Sequence, residues 1–173
     1  VTLVPALTDK AKHVRMLQRS PTYIYSWPAS DGLFRFLNRF LPPKLTNRIM
    51  RIKYVLLQQL SYGLSKRFPD FISRSLRKAT AKMLNPDIDV ETHFKPHYKP
   101  WDQRVCMVPD NDMFDKFNEG SASIVTAEIE RFTEQGIKLK NGEEIKTDVI
   151  ITATGLEILV WGGMDLTVDG QPV

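Results

Sequence analysis

Leu45, Ile49, Ile52, Leu56, Leu60 and Leu64 recur at intervals of three and four residues. No other feature of the chain constrains its folding as strongly. Apolar side chains at this period lie along one stripe of an α-helix, because about 3.6 residues complete a turn. A single long helix over about 45–66 follows. Before it, Leu33, Phe34, Phe36, Leu37, Phe40 and Leu41 make a short amphipathic helix that Pro42-Pro43 breaks. After it, Phe71, Ile72, Leu76, Ala79 and Met83 repeat the pattern until Asn85-Pro86 ends it. Each stripe predicts a helix with its apolar face turned toward a core. Residues 31–85 show no strand signal and carry twelve basic against two acidic side chains, so they read as a basic helical insertion. Residues 86–173 carry eight basic against seventeen acidic side chains. A solvated helical face beside acidic neighbours is the plain explanation of that asymmetry. A module that binds an anionic membrane or nucleic acid is the alternative.

The flanking segments have a different texture. Residues 2–12 read as a helix with Leu3, Val4, Leu7 and Ala11 on one face. Val14 to Gln18 alternates over a strand's length, and Ser20-Pro21 stops it. Helix, strand and sharp turn are the second half of a βαβ unit. From 86 to 112, Pro86, Pro96, Pro100 and Pro109 preclude long elements, with one short strand over Arg104 to Val108. Asp110 or Asn111 is placed to cap a helix over Met113–Asn118 that Gly120 ends. Ser123–Thr126, Glu128–Phe132 and Ile137–Lys140 alternate as strands, and Asn141-Gly142 signals a type I′ hairpin. Val149–Thr152 is β-branched throughout, as a strand buried on both faces would be. The fold class is α/β: a partial Rossmann-like domain with an antiparallel β-meander and a helical insertion.

Several function classes are excluded or disfavoured. No apolar run approaches the roughly 18–20 residues of a membrane span. The single cysteine, Cys106, allows no internal disulfide and fits a reducing, cytoplasmic compartment. His93 and His97 alone have helical spacing, and Pro96 between them opposes a helix, so no metal site is expected.

Three constellations carry chemistry. Arg19 and Ser20 follow the first strand. In a dinucleotide-binding βαβ the tip of the second strand lies beside the adenosine ribose, where an acid accepts from a free 2′-OH and an arginine receives a 2′-phosphate. Arg19 has no acid beside it in sequence, and its planar fork matches a phosphate. A surface arginine at a strand end is the plainer alternative. The second constellation is Lys95-Pro96-His97-Tyr98-Lys99-Pro100-Trp101-Asp102-Gln103-Arg104, where prolines fix an extended path that leads to Arg104. A fixed cation there suits a developing anion, whereas an exposed arginine on a connector, or an ion pair with Asp102, needs no function. The third is Asp148 followed by Ala153-Thr154-Gly155, where small residues let backbone pass close to a cofactor and Gly155 permits a turn.

With these motifs the chain resembles the flavin-containing monooxygenases of the Baeyer–Villiger type over nearly all its length. Val1 to Leu7 looks like the residues that follow that family's NADPH glycine loop, and Met16 to Tyr23 like its strand with the 2′-phosphate arginine. Tyr98, Pro100 and Arg104 resemble the approach to its active-site arginine, and Asp148 to Gly155 match its Asp-x4-Ala-Thr-Gly signature. The resemblance implies FAD and NADPH as cofactors, O2 and a small ketone or heteroatom compound as substrates, and no nucleic-acid partner. It implies Arg104 as the catalytic residue that stabilises a flavin peroxide. It implies Arg19, Ser20, Gln103, Ala153, Thr154 and Gly155 as cofactor-binding. Gln103 departs from the pattern, since many relatives carry lysine there. The implied layout is an NADPH domain over 1–30 and 86–155, a helical insertion over 31–85, and the start of a return to an FAD domain over 156–173. Both glycine loops would precede Val1, so the 173-residue chain alone is expected to be inactive and prone to self-association through open strand edges. A flavoprotein reductase that never inserts oxygen is the rival enzyme class.

Overall fold

The computed structural model describes residues 2–155 and 158–172. Two parallel strand pairs organise the first two thirds. Strand β1 (Val14–Gln18) pairs with β4 (Ala122–Thr126), and β2 (Tyr23–Trp27) pairs with β3 (Val105–Pro109). Parallel partners need long crossovers, and here helices supply them. Helix α1 (Leu3–Thr8) precedes β1, and α2 (Gly32–Phe40), α3 (Pro43–Arg67), α4 (Pro69–Met83) and α5 (Val90–Phe94) lie between β2 and β3. Helix α6 (Asp112–Asn118) then leads into β4. Strands β5 (Ile129–Thr133), β6 (Gly136–Leu139) and β7 (Glu144–Lys146) form an antiparallel meander. A 3-10 turn (Val160–Gly163) and a small hairpin of β8 (Thr167–Val168) and β9 (Gln171–Pro172) follow.

The main core joins both parallel pairs. Ile24, Val108 and Ala122 from the strands pack with Val4, Leu84, Phe94, Met113, Phe114 and Phe117. Phe94 meets Phe114 edge-on at 6.1 Å between ring centroids, a geometry that brings a positive ring edge to a negative face. Helix α4 is fastened to β2 by the buried hydroxyl of Thr80, which donates to the Ile24 carbonyl at 2.8 Å. A second cluster under the meander gathers Ile137, Leu139 and Ile145 against Leu17 and Val125.

Several expectations change. Helix α3 forms as its periodicity dictates, but its stripe is not core-facing: Leu56 and Leu60 are 63% and 61% exposed, and Leu45, Ile52 and Leu64 are exposed too. The face it buries is Thr46, Met50 and Ser65. The helix is held near its middle and end instead. Asp31 caps α2 through Leu33 N at 2.8 Å and also accepts from Lys53 and, at 2.6 Å, from Tyr54. Lys53, then Tyr54, holds the Asp31 carboxyl well below the usual carboxylate range.

Strand β2 starts at Tyr23, just past the Ser20-Pro21 stop, where no strand is expected. The first helix is shorter than 2–12, ending at Thr8. Asp110 does not cap α6; its carboxylate accepts from Ala29 N at 3.0 Å, and the cap residue Asn111 makes no side-chain cap bond. The 141–142 turn is not type I′. Gly142 has φ +93, while Asn141 is not among the positive-φ residues; Gly142 N donates to Leu139 O and Leu139 N to Glu143 O. That is a type I turn with a glycine bulge, which accommodates three loop residues rather than two.

Val149–Thr152 forms no strand. Val149 is 72% exposed, and no described strand pairs with the run. A β-branched run becomes a strand only when neighbours supply ladder bonds and cover its faces.

Candidate nucleotide-phosphate site

Arg19 and Ser20 leave the tip of β1 on the rim of a cavity of about 510 Å³. Glu91 and Thr92 of α5, Lys95, Pro96 and His97 just after it, and Thr126 at the end of β4 also line it. The placement has a clear local cause. Asp89 caps α5, accepting from Glu91 N at 2.9 Å and from the Thr92 hydroxyl. The Gln18 amide donates to the His93 carbonyl and to Thr126 Oγ1, both at 2.8 Å. His93 Nδ1 also meets Thr126 Oγ1 at 2.8 Å. Three side chains thus lock α5 to the ends of β1 and β4. Burial pushes the His93 imidazole below its ordinary value of 6.5, which favours the neutral ring that a hydroxyl can bond.

The electrostatics of the cavity are mainly basic. Glu91 is the acid on its wall, and it is paired twice, with Lys95 at 2.8 Å and with Arg77. Lys95 and then Arg77 hold its carboxyl below the usual range. A second acid comes near Arg19 through folding: Glu128, distant in sequence, lies within electrostatic reach of it. Lys140 is the main cause that depresses the Glu128 carboxyl, with Arg19 adding less. Lys140 makes the direct ion pair, so Arg19 keeps its guanidinium for another partner. Donor side chains of this kind around an open cavity fit a phosphate, which offers acceptor oxygens in several directions.

Arg104 sits just before β3, joined by hydrogen bonds to Thr22 and Tyr98. Its Nε donates to Thr22 Oγ1 at 3.3 Å, and its carbonyl accepts from the Tyr98 hydroxyl at 3.1 Å. Tyr98 in turn meets Thr22 Oγ1 at 2.5 Å and stacks edge-on against Tyr23 at 5.6 Å. Sequence reasoning singled out Tyr98 but missed Thr22 and Tyr23, which fix it; their position just past Arg19-Ser20-Pro21 was the available signal. Arg104 does not line the cavity of Arg19. Asp102 is not its ion-pair partner, for it binds Lys66 at 2.6 Å. Gln103 is exposed on the intervening turn. Ala153, Thr154 and Gly155 are exposed and do not line the Arg19 cavity; Gly155 has φ +107, a conformation that favours glycine.

No family model matches the chain. It is 48% identical over 174 residues to the FAD-containing monooxygenase EthA of Mycobacterium tuberculosis, covering 100% of this chain and 36% of that protein. It is 44% identical to EthA of Mycolicibacterium smegmatis, again over 100% of this chain and 35% of the relative. A crystal structure of OTEMO with FAD bound superposes with a TM-score of 0.62 at 21% identity, over 95% of this chain and 38% of that one. OTEMO in complex with FAD and NADP gives 0.63 at 20% identity, over 90% of this chain and 36% of that one. The chain is therefore similar along its whole length to FAD-containing monooxygenases, and it spans about a third of the length of these relatives. The structural likeness shows a shared fold of mixed helices and small sheets.

Proposed function

We propose that the chain is the NADPH-facing part of an FAD- and NADPH-dependent monooxygenase of the Baeyer–Villiger type. Such an enzyme inserts one oxygen atom into a ketone or oxidises a soft nitrogen or sulfur centre. The observation that carries the reading is the basic cavity at the tip of β1, with Arg19 and Ser20 on its rim. Sequence similarity to FAD-containing monooxygenases supports it. When bound, FAD and NADPH supply the oxygen and hydride chemistry.

The chain's own residues bind and orient. Arg19 grips a 2′-phosphate with its planar fork, and Ser20 donates a further hydrogen bond. Arg104, braced by Thr22, presents a cation from the start of β3. Gln103 lies next to it, and Ala153-Thr154-Gly155 would carry the backbone past the flavin. Residues 1–30 and 86–155 then form a partial Rossmann-like NADPH domain. Residues 31–85 are an insertion in it, and 156–173 begin the return to the FAD domain. Cys106, a free thiol, fits a cytoplasmic setting.

Steady-state kinetics of the full-length protein test the assignment of Arg19. Arg19→Ala raises KM for NADPH roughly ten- to hundredfold, the loss expected for one charge-assisted hydrogen bond, with KM for NADH little changed. Equal effects on both coenzymes remove Arg19 from the role.

A further inference from the structure

The cavity at the end of β1 contains two basic side chains that the reading above does not use. Lys95 and His97 flank the buried Pro96 and line the same cavity as Arg19 and Ser20. Proline fixes the local backbone angle, and the Gln18–His93–Thr126 bonds tie the preceding helix to the strand ends. Both residues are therefore held at the rim by the fold.

Lys95 is placed to change partners. Its ammonium pairs with Glu91 at 2.8 Å, with the two side chains 55% and 56% exposed. Exposed pairs of this kind contribute little and are easily exchanged. Glu91 also pairs with Arg77, so it keeps a cation when Lys95 leaves. A phosphate monoester carries close to two negative charges near neutral pH and three acceptor oxygens, more than a carboxylate already shared with Arg77 can offer.

We propose that Lys95 and His97 complete, with Arg19 and Ser20, a subsite for a phosphate monoester: the 2′-phosphate of NADPH. Lys95 moves from Glu91 to the phosphate on binding, and the His97 ring donates as well. This subsite rests on the NADPH reading above.

Calorimetric titration of the full-length protein with adenosine 2′,5′-bisphosphate and with adenosine 5′-monophosphate tests it without turnover. The wild type prefers the bisphosphate. Lys95→Met and His97→Gln each weaken bisphosphate binding about tenfold and leave the monophosphate unchanged. Both residues are exposed, so the fold survives the changes. Glu91→Gln releases Lys95 and tightens the bisphosphate a few-fold, which a merely structural lysine would not produce. If the Lys95 and His97 variants keep the wild-type preference while Arg19→Ala abolishes it, the subsite is wrong and the NADPH reading stands. If the wild type shows no preference, both fall.

Discussion

Thr126 is the residue on which the geometry of the cavity turns, and replacing it by valine isolates its hydroxyl. Valine keeps the β-branched shape that suits β4, so the ladder from Gln18 to Thr126 is preserved. The change removes two half-buried hydrogen bonds, from Gln18 Nε2 and with His93 Nδ1, both 2.8 Å long. At about 0.5–1.5 kcal/mol each the loss totals about 1–3 kcal/mol. Partial access of water to the abandoned groups favours the lower half of that range. For a domain of this size it corresponds to a fall in Tm of about 2–8 °C. Because α5 loses its tether to the sheet, Lys95 and His97 lose their position, and affinity for adenosine 2′,5′-bisphosphate falls as well. Thr126→Ser restores the hydroxyl and should recover most of both effects. Thermal unfolding and calorimetric titration of the three proteins provide the assay. A Thr126→Val protein within about 0.5 kcal/mol of wild type, with unchanged affinity, would refute the tether.

Other consequences are equally direct. Gly136 has φ +153, and a Cβ there would run into the Ile145 carbonyl, with the carbonyl carbon at 2.9 Å. Both are backbone atoms of a paired strand, so Gly136→Ala should cost at least ~2 kcal/mol in urea unfolding; a loss under about 0.5 kcal/mol would mean the turn relaxes freely. On α3, Met50→Ala removes a side chain only 6% exposed and should cost about 2–3 kcal/mol. Leu56→Ala should stay within about 0.5 kcal/mol in the same 173-residue chain, and the reverse ranking would restore the core-facing stripe. His93 gives a pH signature. Its folded pKa lies below 6.5, so as pH falls below that value the unfolded chain takes up a proton that the folded one resists. Stability from His93 is therefore complete above about pH 6.5 and is lost as pH falls through the window below it. Urea unfolding measured across that pH range should show this loss in the wild type and a smaller one in His93→Gln; identical profiles would remove His93 from the role.

What the sequence revealed depended on whether a residue's neighbours are local. Strand β1 and helices α2, α3 and α4 were legible because alternation and three-to-four spacing are properties of adjacent residues. The same spacing establishes that α3 is amphipathic but not which side is covered: Thr46 and Ser65, polar and unremarkable in sequence, are buried while the leucines are exposed. Val149–Thr152 has the composition of a strand, yet partners decide whether it becomes one. Strand β2 is harder to read because Pro21 signals a stop just before it, although Tyr23-Ile24-Tyr25 is aromatic and β-branched. Around the cavity, the place of Arg19 and Ser20 at the end of β1 is legible because it follows from the strand before them, whereas Arg104, before β3, lies outside that cavity. Lys95 and His97 stand out in sequence only as part of the approach to Arg104; that they share a cavity with Arg19 is not legible, since α5 reaches β1 through bonds across 75 residues of chain. Glu128 comes within electrostatic range of Arg19 by the same kind of long-range closure.

The central claim is that this chain serves an enzyme that transfers oxygen, and isotope labelling addresses it most directly. The full-length protein is supplied with NADPH and ¹⁸O₂ and offered a panel of cyclic ketones and thioethers. The account predicts a yellow, flavin-containing protein that places one labelled oxygen atom in product for each NADPH consumed, with NADH a poor substitute. NADPH oxidation that delivers all the label to hydrogen peroxide, with none in any organic product, would identify a reductase and contradict it.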